Sequence, residues 1–279
     1  MVRKYVLLMR NSSLNCIKAK GVTSLNYIIS ASSDIGIKKN TNQDSLSVKV
    51  YNTPIGKLTF AVLCDGMGGL DMGEIASATV VTAFIDWINR NLQYMVENSI
   101  EDAFIRREWE NLAYDMNDKL RLYGEKNGVK LGTTLTVILI TENRYYLCNI
   151  GDTRAYEITT HAVQLTEDQT VVQREINLGI LTPEQAKTDA RRNVLLQCIG
   201  ASEIISPAMY FGETKKDAVY MLCTDGFRHE ITNEEIHYWL NPYVMCETKQ
   251  MKENIDYLID LNKQRFEQDN ISAIAIRTF

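Results

Sequence analysis

Five aspartates stand at the ends of apolar, strand-like segments, and this placement constrains the fold more than any other feature. The segments before Asp65 and Asp225 run TFAVLC and VYMLCT, and a glycine follows each aspartate. Asp152 comes after YYLCNIG, Asp269 precedes the last apolar segment, and Asp44 opens another. Because neighbouring strands end at a common rim, we expect these carboxylates to meet although they are far apart in the chain.

Carboxylates gathered at one rim repel each other unless a cation lies between them. Hard oxygen ligands of this kind select Mg²⁺ or Mn²⁺. A single Asp-Gly step is usually only a turn, but two such steps after apolar strands, together with Asp152 and Asp269, are hard to explain as separate turns. Gly66 and Gly68-Gly69 would let the backbone bend sharply after Asp65 and offer a carbonyl as a further ligand.

The hydrophobic periodicity predicts strands, two long helices, more strands, a helical insert, and then strands, two helices and a final strand. The predicted helices cover 72–93, 99–126, 232–241 and 248–266, and the insert covers 168–193 with a break near Thr182-Pro183. This order favours an α+β fold, a four-layer αββα sandwich of two antiparallel sheets flanked by helix pairs. No Pro/Gly/Ser-rich linker divides the chain.

Composition excludes several classes of protein. The net charge is −5, with 35 acidic and 30 basic residues, which argues against a nucleic-acid surface. No stretch reaches the ~18 apolar residues of a membrane span, and the N-terminus lacks a secretory signal. The six cysteines form no C-x-x-C pair. We therefore expect a cytoplasmic protein without membrane or nucleic-acid partners.

Ten short motifs follow one another in the order known from one enzyme family. The sequence resembles the PPM family, the metal-dependent type 2C protein phosphatases, and is most similar to its compact bacterial members over about residues 26–277. The motifs are Asn42-Gln43-Asp44, Asp65-Gly-Met-Gly-Gly69, Gly132-Thr-Thr134, Gly151-Asp-Thr-Arg154, Leu165-Thr-Glu-Asp168, Gly179-Ile-Leu-Thr-Pro-Glu184, Arg192-Asn193, Gly200, Thr224-Asp-Gly226 and Asp269-Asn270.

The resemblance implies a role for each predicted ligand. Asp65 would bridge two Mn²⁺ or Mg²⁺ ions, and Asp225 and Asp269 would complete the first site. The Gly66 carbonyl would bind the second ion, whose water ligands Asp44 would hold. The family's mechanism is the attack of a metal-bridging water on the phosphorus of phosphoserine or phosphothreonine.

The resemblance also implies further parts of the molecule. Asp152, with Asp225, matches a third and looser metal site. Residues 25–279 would form the catalytic domain, with residues 165–192 as a flap beside the active site and residues 1–24 as an N-terminal extension. Phosphorylated proteins would be the substrates, a cognate Ser/Thr kinase the partner, and the protein a monomer.

The sequence departs from the family pattern in two ways that bear on catalysis. Lys39 stands where relatives usually carry a phosphate-binding Arg, and Lys is a point charge without the bidentate fork. Arg191 and Arg192 are the alternatives for this role. Met67 and Leu70 stand where many relatives carry a general-acid His. Among the histidines, which match no family role, His229 is the first candidate for a proton donor. The three histidines of the chain are His161, His229 and His237.

Three alternative functions are compatible with these site residues. The first is an active phosphatase for phosphoserine and phosphothreonine, with Asp65 and Lys39 as catalytic residues. The second is a pseudophosphatase that kept the fold but lost turnover, and the third is a metal hydrolase of small phosphoesters. Loss of turnover usually shows as substituted metal ligands, and here every aspartate is present, which favours an active enzyme.

Overall fold

The computed structural model describes residues 25–67 and 72–279. The predicted N-terminal extension, and the predicted roles of Gly68-Gly69 and Leu70, therefore lie outside the described residues. Within them the chain forms two five-stranded sheets in which every pair of neighbouring strands is antiparallel.

The strands of the described ranges are numbered in chain order. They are β1 (Tyr27–Asp34), β2 (Ser45–Thr53), β3 (Gly56–Cys64), β4 (Leu135–Ile140), β5 (Arg144–Ile150), β6 (Arg154–Ile158), β7 (Ala162–Gln164), β8 (Ala208–Glu213), β9 (Ala218–Cys223) and β10 (Ile271–Thr278). One sheet has the order β1-β10-β9-β6-β7 and the other β2-β3-β4-β5-β8. The first and last of these strands, β1 and β10, are paired at the edge of one sheet.

The helices form the outer layers and the insert. They are α1 (Gly73–Glu97), α2 (Asp102–Asn127), α3 (Val171–Asn177), α4 (Pro183–Thr188), α5 (Asp225–Arg228), α6 (Asn233–Leu240) and α7 (Thr248–Gln264). Helices α1 and α2 share a hydrophobic cluster with β3, β4 and β5, whereas α6 and α7 share one with β9 and β10. Helices α3 and α4 lie between β7 and β8, inside the range predicted for the flap.

Strand β3 shows why the two sheets stack. Phe60 and Val62 belong to the cluster under α1 and α2, whereas Ala61 and Leu63 belong to the cluster between the sheets. Since successive side chains of a strand point to opposite faces, a strand buried on both faces has to be apolar throughout. The continuous run TFAVLC meets this requirement, and it carries the chain to Asp65 at the rim.

The predicted αββα sandwich is confirmed. The insert is broken where the sequence predicted, because Thr182 accepts a hydrogen bond from the Gln185 N–H at the start of α4 and Pro183 follows it. The three-residue strand β7 and the one-turn helix α5 were not predicted, since neither is long enough to show a hydrophobic period. No helix in the described ranges is both long and apolar enough to cross a membrane.

Candidate metal centre

The backbone around Asp65 is fixed by two threonines of the neighbouring strand. The Asp65 N–H donates to Thr134 Oγ1 at 2.9 Å, and its carbonyl accepts from the Thr134 N–H at 2.9 Å and from Thr133 Oγ1 at 2.8 Å. Gly66 N donates to the carbonyl of Gln43 at 3.1 Å. These bonds tie the end of β3 to the residue before Asp44, so the two aspartates are held side by side.

Asn270 ties the other side of the site together. Its Oδ1 accepts from the Gln43 N–H at 2.9 Å, and its Nδ2 donates to the carbonyls of Ile35 at 2.9 Å and Thr41 at 3.2 Å. The loop before Asp44 is thereby anchored to the start of β10, next to Asp269. One buried amide side chain therefore sets the spacing between two predicted ligands.

The structure brings the five predicted aspartates together. Burial raises the pKa of Asp65 well above its ordinary value, and the carboxylates of the other four raise it further. The four are Asp44, Asp225, Asp152 and Asp269. A carboxyl group that is buried among like charges is stabilised either by taking up a proton or by an adjacent cation.

Asp44 carries the clearest sign of an ion-binding position. Burial, and then repulsion from Asp225 and Asp269, raises the pKa of Asp44 to about 7. The Ser272 and Thr224 hydroxyls partly offset the rise, but they bond to Ser33 Oγ and to the Ser272 carbonyl respectively. Among the described residues, both carboxylate oxygens of Asp44 and Oδ1 of Asp225 are buried without a hydrogen-bond partner.

These unpartnered oxygens fit hard divalent cations in donor type and charge. In residues 25–67 and 72–279, however, no three carboxylate, imidazole or thiol side chains are already arranged as ligands around one point. A cation could be bound here only after side-chain rotations, and one of the predicted ligands is turned toward a lysine. Asp269 Oδ1 lies 2.8 Å from the ammonium of Lys39.

Lys39 is thus placed at the site, although it contacts a carboxylate. Burial alone would lower the pKa of Lys39, but its hydrogen bond to Asp269 and the charges of Asp65 and Asp225 raise it. The side chain is 28% exposed, so the ammonium remains accessible from solvent. Such a half-exposed ion pair is weak, and a phosphate group can compete for the ammonium.

Asp152 lies at the far side of the cluster, beside a buried arginine. Arg228 Nη2 is 3.5 Å from Asp152 Oδ2 and 3.3 Å from Asp168 Oδ2. Arg154 makes two bonds of 2.7 Å to Asp168. Burial, followed by the charge of Asp225, still raises the pKa of Asp152 to about 7 against the opposing effect of Arg228.

The sequence suggested His229 only as a candidate proton donor without a family role, and it missed Glu267. His229 Nε2 is 3.6 Å from Asp225 Oδ2, and its Nδ1 is 3.2 Å from Glu267 Oε2. Burial would lower the pKa of His229, but the two carboxylates raise it above its usual value. The available signal was the spacing, because a residue four positions after Asp225 returns to the same helix face. His161 and His237 instead lie together away from the site, 6.4 Å apart between ring centroids.

Two adjoining cavities open beside the cluster. One of about 690 Å³ lies between the flap and α6, and one of about 590 Å³ reaches Lys39 and Asp269. Both are lined by Arg192, Asn193 and His229. Because they share these residues the two cavities lie side by side, and together they are called the groove; it has room for a peptide segment and reaches Asp269 at the edge of the cluster.

Comparison with known proteins decides the family. The model of the family described as protein phosphatase 2C matches residues 37–259. The chain belongs to the protein phosphatase 2C family. This phosphatase is 32% identical over 212 residues to protein phosphatase PhpP of Streptococcus pneumoniae, covering 75% of this chain and 82% of that protein. It is 29% identical over 245 residues to serine/threonine protein phosphatase PstP of Mycobacterium tuberculosis, covering 88% of this chain and 43% of that longer protein.

Solved structures support the assignment. The serine/threonine phosphatase of S. agalactiae superimposes with a TM-score of 0.76 at 25% identity, over 90% of this chain and 99% of that one. The catalytic domain of PstP, solved with two manganese ions, gives 0.70 at 26% identity, over 91% and 99%. The predictions of the family, the fold and a protein phosphatase are confirmed, and the predicted metals agree with the PstP complex. The residue assignments stay predictions.

Proposed function

We propose that this chain hydrolyses phosphoserine and phosphothreonine in protein substrates with two Mn²⁺ or Mg²⁺ ions held by Asp65, Asp225, Asp269, Asp44 and the Gly66 carbonyl. The observation that carries the proposal is that buried carboxylate oxygens of Asp44 and Asp225 have no hydrogen-bond partner among the described residues. Buried charges of one sign are retained when they serve to bind a cation. When bound, two such ions supply an activated water and neutralise the phosphoryl oxygens.

The residues of the chain supply position and access. Thr133 and Thr134 hold the backbone of Asp65, so its carboxylate projects from a fixed point. A side chain at Gly66 would lie 2.4 Å from the Gly73 carbonyl and 2.5 Å from that of Gln43, so only glycine lets this backbone approach the site. The Lys39 ammonium lies at the edge of the groove, where it would bind a phosphoryl oxygen of the substrate.

The groove supports a peptide substrate. Its two cavities of about 690 and 590 Å³ offer room for residues next to a phosphorylated side chain, which a small phosphoester would not use. Phosphorylated proteins of this type are made by Ser/Thr kinases, and we propose a kinase of that class as the functional partner. Comparison of kcat/KM for a phosphothreonine peptide and for a small alkyl phosphate tests this preference.

The metal centre is tested by replacing its ligands. Asp65→Asn and Asp225→Asn keep the side-chain size but remove the charge, and each should lower kcat with Mn²⁺ by more than about 100-fold, or ~2.7 kcal/mol in activation free energy. Asp118→Asn, an exposed change on α2, is the control and should leave kcat unchanged. Circular dichroism checks that each variant is folded. An Asp65→Asn variant that keeps more than about a tenth of the activity would overturn the assignment.

A pseudophosphatase would give a different pattern. It would bind the phosphopeptide without releasing phosphate at any Mn²⁺ concentration, and neither Asp65→Asn nor Asp225→Asn would change turnover. An active enzyme should lose activity in a chelator and regain it with Mn²⁺ or Mg²⁺, because carboxylates and water hold these ions loosely.

A further inference from the structure

Asp152 already has a cation beside it. The guanidinium of Arg228 places Nη2 3.5 Å from Asp152 Oδ2, and the same nitrogen donates to the Asp152 carbonyl at 3.3 Å. It also lies 3.3 Å from Asp168 Oδ2. One guanidinium nitrogen therefore contacts both carboxylates and a main-chain oxygen. A metal ion bound at Asp152 would seek the same kinds of oxygen.

The three side chains are removed from solvent. Arg228 is 11% exposed, Asp152 7% and Asp168 8%. A guanidinium stays protonated at every pH at which proteins fold, and it has no lone pair to offer a metal. Arg228 therefore cannot become a ligand by losing a proton. A cation could reach Asp152 only after the arginine had left its carboxylate and carbonyl partners.

Two arginines offset the charges of Asp152 and Asp168 without a metal, although Asp225 still acts on Asp152. Arg154 binds both oxygens of Asp168 at 2.7 Å, and Arg228 contacts Asp168 and Asp152. Two guanidinium groups thus face two carboxylates, and their formal charges cancel. The contrast is with Asp44, whose two buried oxygens have no hydrogen-bond partner in the described part of the chain.

The sequence places this arginine through a single helical turn. Asp225 begins α5 and Arg228 ends it, so one turn presents a carboxylate to the metal centre and a guanidinium to Asp152. We propose that the Arg228 guanidinium takes the place of a third divalent cation at Asp152, so that this phosphatase binds two metal ions and not three. The proposal rests on the two-ion centre of the proposed function, and it changes the role of Asp152 from metal ligand to partner of Arg228.

A count of bound ions tests the proposal directly. The full chain is titrated with Mn²⁺ to millimolar concentration, and free Mn²⁺ is measured from its electron paramagnetic resonance signal. We expect two bound ions per chain for the wild type and for Asp152→Asn. Three ions in the wild type with two in Asp152→Asn would overturn the proposal while leaving the two-ion centre intact. Fewer than two ions in the wild type would contradict the centre itself, and the proposal with it.

Removal of the Arg228 guanidinium should make a third metal-binding position at Asp152 accessible. Arg228→Met keeps the length of the side chain, and we expect it to bind a third Mn²⁺ ion that is lost again in the double variant Arg228→Met/Asp152→Asn. Arg144→Met is the matched control, because it removes an arginine from an ion pair with Asp102 outside the site, and it should stay at two ions. A folded Arg228→Met variant that still binds two ions would overturn the proposal. If this variant does not fold, the wild type and Asp152→Asn decide.

Discussion

Lys39 has two possible partners, the Asp269 carboxylate and a phosphate group of the substrate. Lys39→Ala should raise KM for a phosphothreonine peptide about tenfold, because a hydrogen bond to a charged group contributes about 1.5–3 kcal/mol and the partial exposure of the lysine places its bond to phosphate near the lower end. The same variant should need less Mn²⁺ for half-maximal activity, since Asp269 loses the ammonium 2.8 Å away. Steady-state kinetics at several Mn²⁺ concentrations measures both effects.

The neighbouring lysine provides the control for Lys39. Lys38 lines the same cavity, but its ammonium bonds to Gln268 at 2.7 Å and contacts no predicted ligand. Lys38→Ala should change neither constant, and Lys39→Arg should keep KM near the wild-type value because it retains the charge. If Lys39→Ala and the wild type have the same KM, Arg192 is the next candidate, since it lines both cavities.

At the scale of single residues, the sequence predicted the acidic residues and Lys39 but missed Arg228 and the pairing of His229 with Glu267. The aspartates were visible because each stands at the end of an apolar run. Arg228 and His229 follow Asp225 in a one-turn helix, which has no periodic pattern, and their partners Asp152 and Glu267 are 76 and 38 positions away. Only the tertiary structure brings such residues together, so their pairing could not be predicted without it.

Among the elements, the loop between β1 and β2 depends on one glycine. Gly36 has φ +77°, and a Cβ at this position would lie 2.3 Å from the Asp269 carbonyl oxygen. Gly36→Ala should therefore displace Asp269, weaken Mn²⁺ binding and lower kcat, in addition to the conformational cost of positive φ. Calorimetric titration with Mn²⁺ and assays with a phosphopeptide give the two readouts.

A substitution at Gly128 separates the clash with a neighbouring atom from the conformational cost of positive φ. Gly128 ends α2 with φ +66°, and a Cβ there would meet no atom of residues 25–67 or 72–279 within 4 Å. Gly128→Ala should lower the free energy of unfolding by about 1 kcal/mol, the usual cost of placing a side chain in this region, with kcat unchanged. Equal Mn²⁺ affinities for Gly36→Ala and Gly128→Ala would show that the loop does not position Asp269.

The positions of the long helices and strands could largely be predicted from the sequence, whereas the pairing of the strands could not. The predicted helices 72–93 and 99–126 correspond to α1 (Gly73–Glu97) and α2 (Asp102–Asn127), since both carry long apolar stripes. The alternation along β2 indicates a strand but not which strands lie beside it, because a period of two is the same for every partner. The sandwich therefore followed from the order of elements and the family resemblance, and the sheet order became known from the structure.

At the scale of the whole molecule, the clustered carboxylates of the metal centre should lower the stability of the metal-free protein. Without metal, the raised pKa of Asp44, about 7 against an ordinary 3.8, means that the folded state holds a proton which the unfolded state has lost. Between these two pH values the unfolded chain binds fewer protons, so this group makes the free energy of unfolding fall as pH rises. One pKa unit corresponds to ~1.4 kcal/mol, which gives an upper bound of about 4 kcal/mol at pH 8.

Asp44→Asn removes this penalty, and its effect should change sign with metal. In a chelator at pH 8 the variant should unfold at higher denaturant concentration than the wild type, and the difference should shrink as the pH falls toward 4. With saturating Mn²⁺ the order should reverse, because ligands that bind only the folded state stabilise it and the wild type binds more tightly. Asp118→Asn, on the exposed face of α2, should leave both comparisons unchanged. A variant less stable than the wild type in chelator at pH 8 would show that Asp44 supports the fold and is not held there for a cation.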